Sequence, residues 1–249
     1  ILDKKNEIKS IRKNFKVSSF TVDNKRSNLF LEGLNKNPIG FIAEIKRKSP
    51  SAGISRNPIN LKEIVAKYET NGATILSCLI DKKYFGAREN DFKVVFENTN
   101  LPILYKEFVV DEWQIKHANH IGASGILLIV SALDKSELGE LFHCSLENNL
   151  IPLVEVHSKD EMEIAVDIGA QCIGINNRNL KNFTTSLNVT KNLLIDRPKD
   201  CLIVSESGIR SPDDVLNLKN LGVNGLLVGE QLLKAVDPGK ELKFLLSKL

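Results

Sequence analysis

Eight short runs of apolar, β-rich residues recur along the chain, and the stretches between them read as helices. The runs are Gly40–Ile45, Ala73–Leu79, Pro102–Lys106, Gly125–Val130, Ile151–Val156, Gln171–Ile175, Cys201–Ser205 and Gly225–Val228. Their starts lie roughly 20 to 33 residues apart, the spacing of a strand, a helix and two loops. Several are apolar almost throughout, as in ILLIV at 126–130 and CLIV at 201–204. A strand reads that way when both its faces are buried, as in a parallel sheet. The pattern predicts an α/β fold, a (β/α)8 TIM barrel, and 249 residues is an ordinary length for one. The alternative is an open doubly wound sheet. No GxGxxG follows a strand, and eight units favour closure.

Helix punctuation supports this order. Pro58–Thr70 sets Leu61, Ile64, Val65 and Tyr68 at helical spacing. Asp111 is a good N-cap for a helix over Glu112–Ile121. SKDE at 158–161 is a capping-box pattern, and SPDD at 211–214 puts Ser at the N-cap and Pro at the first helical position. Four helices end in glycine before the next strand, in NGAT, IGASG, IGAQ and LGVNG. Residues 1–39, with helical patterns at Lys4–Asn14 and Ser27–Asn35, precede the first strand. The expected organisation is one domain over 1–249, an N-terminal helical extension at 1–39 and eight βα units at 40–249.

Composition narrows the function classes. A net charge of +3, with Lys and Glu interspersed, is too weak to argue for nucleic acid. No apolar run approaches the ~20 residues that span a bilayer, and the first residues have no signal-peptide core, so a cytoplasmic location is the default. Cys78, Cys144, Cys172 and Cys201 form no CxxC pair and read as reduced structural thiols. His117 and His120 share a helix, but no third ligand is in evidence, so no metal is expected.

The chemistry collects where strands end. A barrel gathers the C-terminal ends of its strands at one face. In AEIKRKSPS (43–51), alternation puts Glu44 and Lys46 on the inward side, together with Ile42 just before the segment. A structural ion pair and a catalytic pair are both open there. Ser49–Pro50–Ser51 then reads as a polar loop over the mouth. Lys106 in LYKEF can serve as a Schiff-base nucleophile, general acid or electrostatic clamp, or simply snorkel to the surface. Glu155 in VEVH adds an inward carboxylate. Asn176 and Arg178 in GINNRNL suit hydroxyls and a carboxylate or phosphate. The seventh strand ends at Glu206, followed by Ser207 and Gly208. Gly229 ends the eighth, directly before the helical EQLLKA. Glycines after strands 7 and 8 with a short helix start form the usual barrel phosphate site. These residues alone imply a barrel enzyme for a phosphorylated, anionic small molecule, without naming the reaction.

Taken together the segments resemble the indole-3-glycerol phosphate synthase family of tryptophan biosynthesis. The likeness runs nearly end to end, through KYFGA (83–87), DEWQI (111–115), LLIVSAL (127–133), LVEVHSKDE, GINNRNLKNF and VGEQLL. It implies a lyase, with no cofactor, that closes the ring of 1-(2-carboxyphenylamino)-1-deoxyribulose 5-phosphate and releases CO2 and water. It implies that Lys106 is the general acid, Lys46 an anion contact and second acid, Glu155 the base or proton relay, and Glu44 an orienting group. Asn176 and Ser207 complete the catalytic set. Ser49, Phe85, Phe108, Leu127, Arg178, Leu180 and Glu206 would contact the substrate, with Ser207, Gly208, Gly229 and Glu230 at its phosphate. Other enzymes of the tryptophan pathway are the implied protein partners.

Some residues depart from the family pattern. Tyr105 and Glu107 flank Lys106 where Arg and Asp are common, SCLID (77–81) replaces SVLTE, and Gln231 stands where Ser is frequent. Tyr105 and Glu107 fall on the strand face opposite Lys106. A lysine acting near neutral pH is expected to have a lowered pKa, through burial and a second lysine. Two further readings are a phosphoribosylanthranilate isomerase-like barrel and a non-catalytic barrel. Glu and Lys on the first strand, where that isomerase uses Cys, count against the former. The presence of Lys106 and Glu155 counts against the latter.

Overall fold

A computed structural model describes residues 1–14, 26–49, 53–54, 60–180, 182–195 and 198–249. The strands are β1 (Gly40–Ile45), β2 (Ile75–Leu79), β3 (Ile103–Lys106), β4 (Gly125–Ile129), β5 (Ile151–Val156), β6 (Cys172–Asn176), β7 (Leu202–Glu206) and β8 (Gly225–Val228). Each pairs in parallel with the next, and β1 pairs with β8 to close the barrel. The expected runs match within two residues. β4 stops before Val130 because a 3-10 turn, Val130–Ala132, begins there. β6 and β7 run one residue past their apolar runs to the expected strand ends, Asn176 and Glu206, which pair in register. Lys48–Ser49 also pairs antiparallel with Gly53–Ile54. The rest of the expected polar loop, Pro50 and Ser51, lies outside the described residues, as do residues 58–59.

The barrel interior is built in steps of two residues. One apolar layer takes a residue from every strand: Ile42, Ile75, Leu104, Leu127, Leu153, Cys172, Val204 and Leu227, all buried together. Full burial of such an aliphatic side chain contributes about 1.5–3 kcal/mol. The next step along each strand gives Glu44, Ser77, Lys106, Ile129, Glu155, Gly174, Glu206 and Gly229. The layer above the apolar plug therefore carries the charge. The alternate residues, among them Phe41, Leu76, Tyr105, Val154 and Ile203, face outward into the larger core under the helices.

The N-terminal extension serves both ends of the barrel. Helix Arg26–Leu34 inserts Phe30 and Leu34 beneath the apolar layer. Gly125 and Gly225, the first residues of β4 and β8, lack side chains where those two pack: a Cβ would meet Phe30 at 2.6 Å and Leu34 at 2.7 Å. Helix Leu2–Asn14 lies instead against the loops after β2 and β3. Its Lys4 ammonium stands 2.8 Å from Asp81, 3.2 Å from Glu107 and 2.9 Å from Glu7. Arg12 pairs with Asp111 at 2.6 Å.

The expected caps hold. Asp111, Ser158 and Ser211 cap their helices, and Ser211 with Asp214 forms a full capping box. At Ser158 the box is half-formed, because the Glu161 carboxylate takes the backbone N–H of His157 instead of Ser158. No helix among the described residues is long and apolar enough to cross a membrane.

Candidate active site

The charged layer holds one bonded set around Lys106 and Glu44, with Glu155 in its field. Lys106 Nζ stands 2.9 Å from Glu206 Oε2 and 3.2 Å from Glu44 Oε2. Lys46 Nζ reaches Glu44 Oε1 at 2.5 Å. Across the barrel, Glu155 Oε1 accepts from Asn176 Nδ2 at 3.1 Å. Glu44, Glu155 and Glu206 are buried, and Lys46 and Lys106 nearly so.

Two glycines make room for this set. A Cβ on Gly229 would lie 2.1 Å from Glu44 Oε1, and one on Gly174 would lie 2.2 Å from Glu206 Oε1. Both occupy positions where other strands put a side chain, so the carboxylates fill the space the glycines leave.

Burial raises the cost of every charge here, and the partners decide the outcome. Burial opposes ionisation of Glu44, but Lys46 and Lys106 overcome it and bring its pKa down to about 2. Burial and the nearby Glu155 and Glu44 push Glu206 up to about 7 against the pull of Lys106. Burial also works against the charge on Lys106, yet Glu206, Glu44 and Glu155 together hold its pKa above the ordinary lysine value. The expectation of a lowered Lys106 pKa is thereby corrected. Three carboxylates, not the second lysine, dominate its surroundings. One ammonium shared among three acids stays charged, while the acid it serves least well gives way.

The β7 end is fixed by a residue that strand parity passes over. Asn177 is buried, and its amide donates to Ser205 Oγ at 2.9 Å, to the Glu206 carbonyl at 2.9 Å and to the Ser207 carbonyl at 3.1 Å. Its oxygen accepts from the backbone N–H and hydroxyl of Thr190. Ser207 and Gly208 follow in the left-handed region, at φ 65° and 82°. From the other side, Arg178 pairs with Glu230 at 2.7 Å, linking the β6 loop to the helix Glu230–Lys234 after Gly229.

The sequence model for indole-3-glycerol phosphate synthase matches residues 1–245. The chain belongs to the indole-3-glycerol phosphate synthase family. It is 40% identical over 233 residues to the indole-3-glycerol phosphate synthase of Clostridium acetobutylicum, spanning 94% of this chain and 87% of that protein. It is 41% identical over 215 residues to that of Caldanaerobacter subterraneus subsp. tengcongensis, spanning 86% of this chain and 83% of the relative. Among solved structures, 3-hexulose-6-phosphate synthase from Salmonella typhimurium superposes with a TM-score of 0.66 at 14% identity, covering 84% of this chain and 99% of that one. A mutant tryptophan synthase α-subunit from Pyrococcus furiosus gives 0.62 at 13%, covering 83% and 97%. At such identities the likeness is one of fold.

Most residues singled out by the indole-3-glycerol phosphate synthase resemblance meet at this mouth. Phe85 and Phe108 lie side by side, ring centroids 6.3 Å apart, and Leu127 is buried in the layer below. Ser49 is buried in the short hairpin after β1. Leu180 stands apart: it lies in the loop after β6 and is 49% exposed. The Glu230 carboxylate is occupied by Arg178 and Lys234. Gln231 donates to Glu241 at 2.7 Å, which explains how the indole-3-glycerol phosphate synthase fold accommodates this departure. Tyr105 faces outward against Phe92 and His117, as parity predicts. Glu107 turns to Lys4, and its own oxygen accepts from the Phe108 N–H at 2.7 Å. Sequence reasoning missed Asn177, His157 and Lys4. Only His157 had a legible signal, being two residues past Glu155 on the same inward parity.

Proposed function

We propose that this chain acts as an indole-3-glycerol phosphate synthase. It closes the ring of 1-(2-carboxyphenylamino)-1-deoxyribulose 5-phosphate to give indole-3-glycerol phosphate, CO2 and water. The observation that carries the reading is the Lys106 ammonium held between Glu206 and Glu44 at the strand ends.

In this reading Lys106 gives its proton to the ketone oxygen of the ribulose unit, making the carbon electrophilic. The ring carbon that bears the carboxylate attacks it, and the carboxylate leaves as CO2 to restore aromaticity. The new alcohol then takes a proton, leaves as water, and a proton is lost to complete the indole. A fixed ammonium in a dry site stabilises the developing alkoxide without solvent reorganisation. Its raised pKa keeps it charged at neutral pH, so the acid is always loaded, and an alkoxide is basic enough to take the proton. Lys46 contacts the substrate carboxylate and is the second acid. Glu155 is the base, with Asn176 orienting it. Glu44 sets the two lysines at fixed separation. Glu206, whose pKa near 7 suits proton exchange, supports Lys106.

The phosphate seats on the N–H groups of Ser207, Gly208, Gly229 and Glu230, with Arg178 close by. Phe85, Phe108 and Leu127 wall the aromatic ring, and alignment of ring and ketone in that pocket supplies much of the remaining rate.

Indole fluorescence after mixing the purified chain with the carboxyphenylamino-deoxyribulose phosphate tests the reading. A rise proportional to protein concentration is expected. No rise from folded protein would overturn it.

A further inference from the structure

The charged layer continues upward into a chain of side chains that the proposed reaction leaves unused. His157 follows Glu155 by two residues at the end of β5. Its Nε2 stands 3.3 Å from Glu155 Oε1, and its Nδ1 stands 3.1 Å from Glu161 Oε2. Glu161 cannot drift, because the same oxygen accepts the backbone N–H of His157 at 2.7 Å, the half-formed capping box described above.

Both ring nitrogens therefore face carboxylate oxygens. A neutral imidazole has one N–H and one lone pair, so one of the two contacts would set a lone pair against an anion. Only the imidazolium suits both. Protonating a carboxylate instead is disfavoured on each side. Glu161 already receives a backbone donor, and Glu155 receives the Asn176 amide from β6 and lies in the field of Lys106 from β3. Nε2 is buried and has no in-line hydrogen-bond partner, so its contact with Glu155 is one of charge at close range.

We infer that His157, clamped by Glu161, is the positioning residue that keeps Glu155 a carboxylate in the working enzyme. The inference rests on the synthase reading, in which Glu155 is the base. The need arises from the layer itself. Glu155 shares the field of a single Lys106 with Glu206 and Glu44, and three buried acids exceed what one ammonium can hold ionised. Lys46 serves Glu44. His157 supplies the missing positive charge for Glu155. Burial works against that charge, but Glu155 and Glu161 outweigh it and raise the imidazole pKa to about 10.

The test combines rate profiles with direct titration of the ring. Profiles of kcat/KM against pH are taken for the unaltered protein, His157→Gln and Glu161→Gln, with thermal midpoints alongside. Loss of an opposite charge at this range shifts a carboxyl by roughly one unit or more. The acid limb of the profile is expected to move up by that amount in His157→Gln and by less in Glu161→Gln, which keeps the ring but frees it. Rates that merely scale down in both variants, with the limb unmoved, would refute the role. Nitrogen NMR of the ring, assigned by the signal lost in His157→Gln, is expected to show both nitrogens protonated at pH 7. A neutral ring at that pH would refute it regardless of turnover. If the unaltered chain makes no indole product, the synthase reading falls. The ring spectrum and a carbon-detected titration of the Glu155 carboxyl, with and without His157, then decide the inference alone.

Discussion

Gly229 leaves the space that Glu44 fills: a Cβ at position 229 would stand 2.1 Å from Glu44 Oε1. Its φ of −131° lies outside the left-handed region, so the requirement argued here is the volume that Glu44 takes. Gly229→Ala should fold and should push Glu44 away from Lys46 and Lys106. A displacement near 1 Å at such a site costs on the order of a hundredfold in rate. Initial rates with a circular dichroism spectrum check this, and turnover within threefold of the unaltered chain would show that Glu44 can move without consequence.

Lys106→Met removes the proposed acid and keeps the volume. Turnover should fall by roughly 10²–10⁴, the range general acid catalysis supplies. The variant should remain folded. With the ammonium gone, Glu206 loses the partner that lowers its pKa, so its carboxyl should titrate above 7. Near-normal rates would reassign the acid to Lys46.

Asn177→Leu tests the support of the phosphate turn. It strands the donors and acceptors of Thr190, Ser205 and the Glu206 carbonyl in a buried place. Buried groups left without partners cost about 1–3 kcal/mol each, and a connected network loses more than one. A fall of at least ~2 kcal/mol in unfolding free energy is expected, with weaker inhibition by inorganic phosphate. Unchanged phosphate inhibition would separate the network from the anion site.

Folding stability should respond to pH through Glu107. Burial and the nearby Asp81 push its pKa up to about 7 in spite of Lys4, which divides its charge among Glu7, Asp81 and Glu107. A carboxyl with a raised folded-state pKa binds a proton more tightly folded than unfolded. Its contribution is therefore full below the unfolded value near 4.5 and is lost as pH rises through 7. Glu206 acts in the same direction over the same window. Glu44, with its pKa lowered to about 2, contributes above 4.5 and loses that only below this window. Denaturant titrations from pH 4.5 to 7.5 should show a falling limb that Glu107→Gln makes shallower. An equal slope in both proteins would place the titration elsewhere.

The strands were legible because parallel strands buried on both faces leave little room for polar residues. Runs such as ILLIV and CLIV have few other uses. The inward order at their ends followed from counting in twos, which brought Glu44, Lys106, Glu155 and Glu206 to one level. Counting in twos does not give distances across a ring. The sequence therefore did not reveal that three acids would surround one lysine, and the expected direction of the Lys106 pKa was reversed. Lys4 was hidden for another reason. Its partners, Asp81 and Glu107, are 77 and 103 positions away, and nothing local marks a helix that folds back over the barrel mouth. Asn177 lies beside an expected site residue, yet its value comes from five side-chain bonds, three to the end of β7 and Ser207 and two to Thr190 in the helix Asn188–Leu193 that precedes β7.

The cage around Lys106 also bears on how such a chain changes under selection. Buried ion pairs commonly contribute less to stability than well-packed apolar residues of similar volume. Replacing Lys106 and Glu206 together with aliphatic side chains should give a barrel that tolerates more heat and makes no product. Libraries screened for thermal survival alone would drift toward that outcome, clearing the mouth of its charges while the apolar layer beneath stayed intact. A screen that also rewards turnover would hold the lysine, its acids and the two glycines as a single inherited unit.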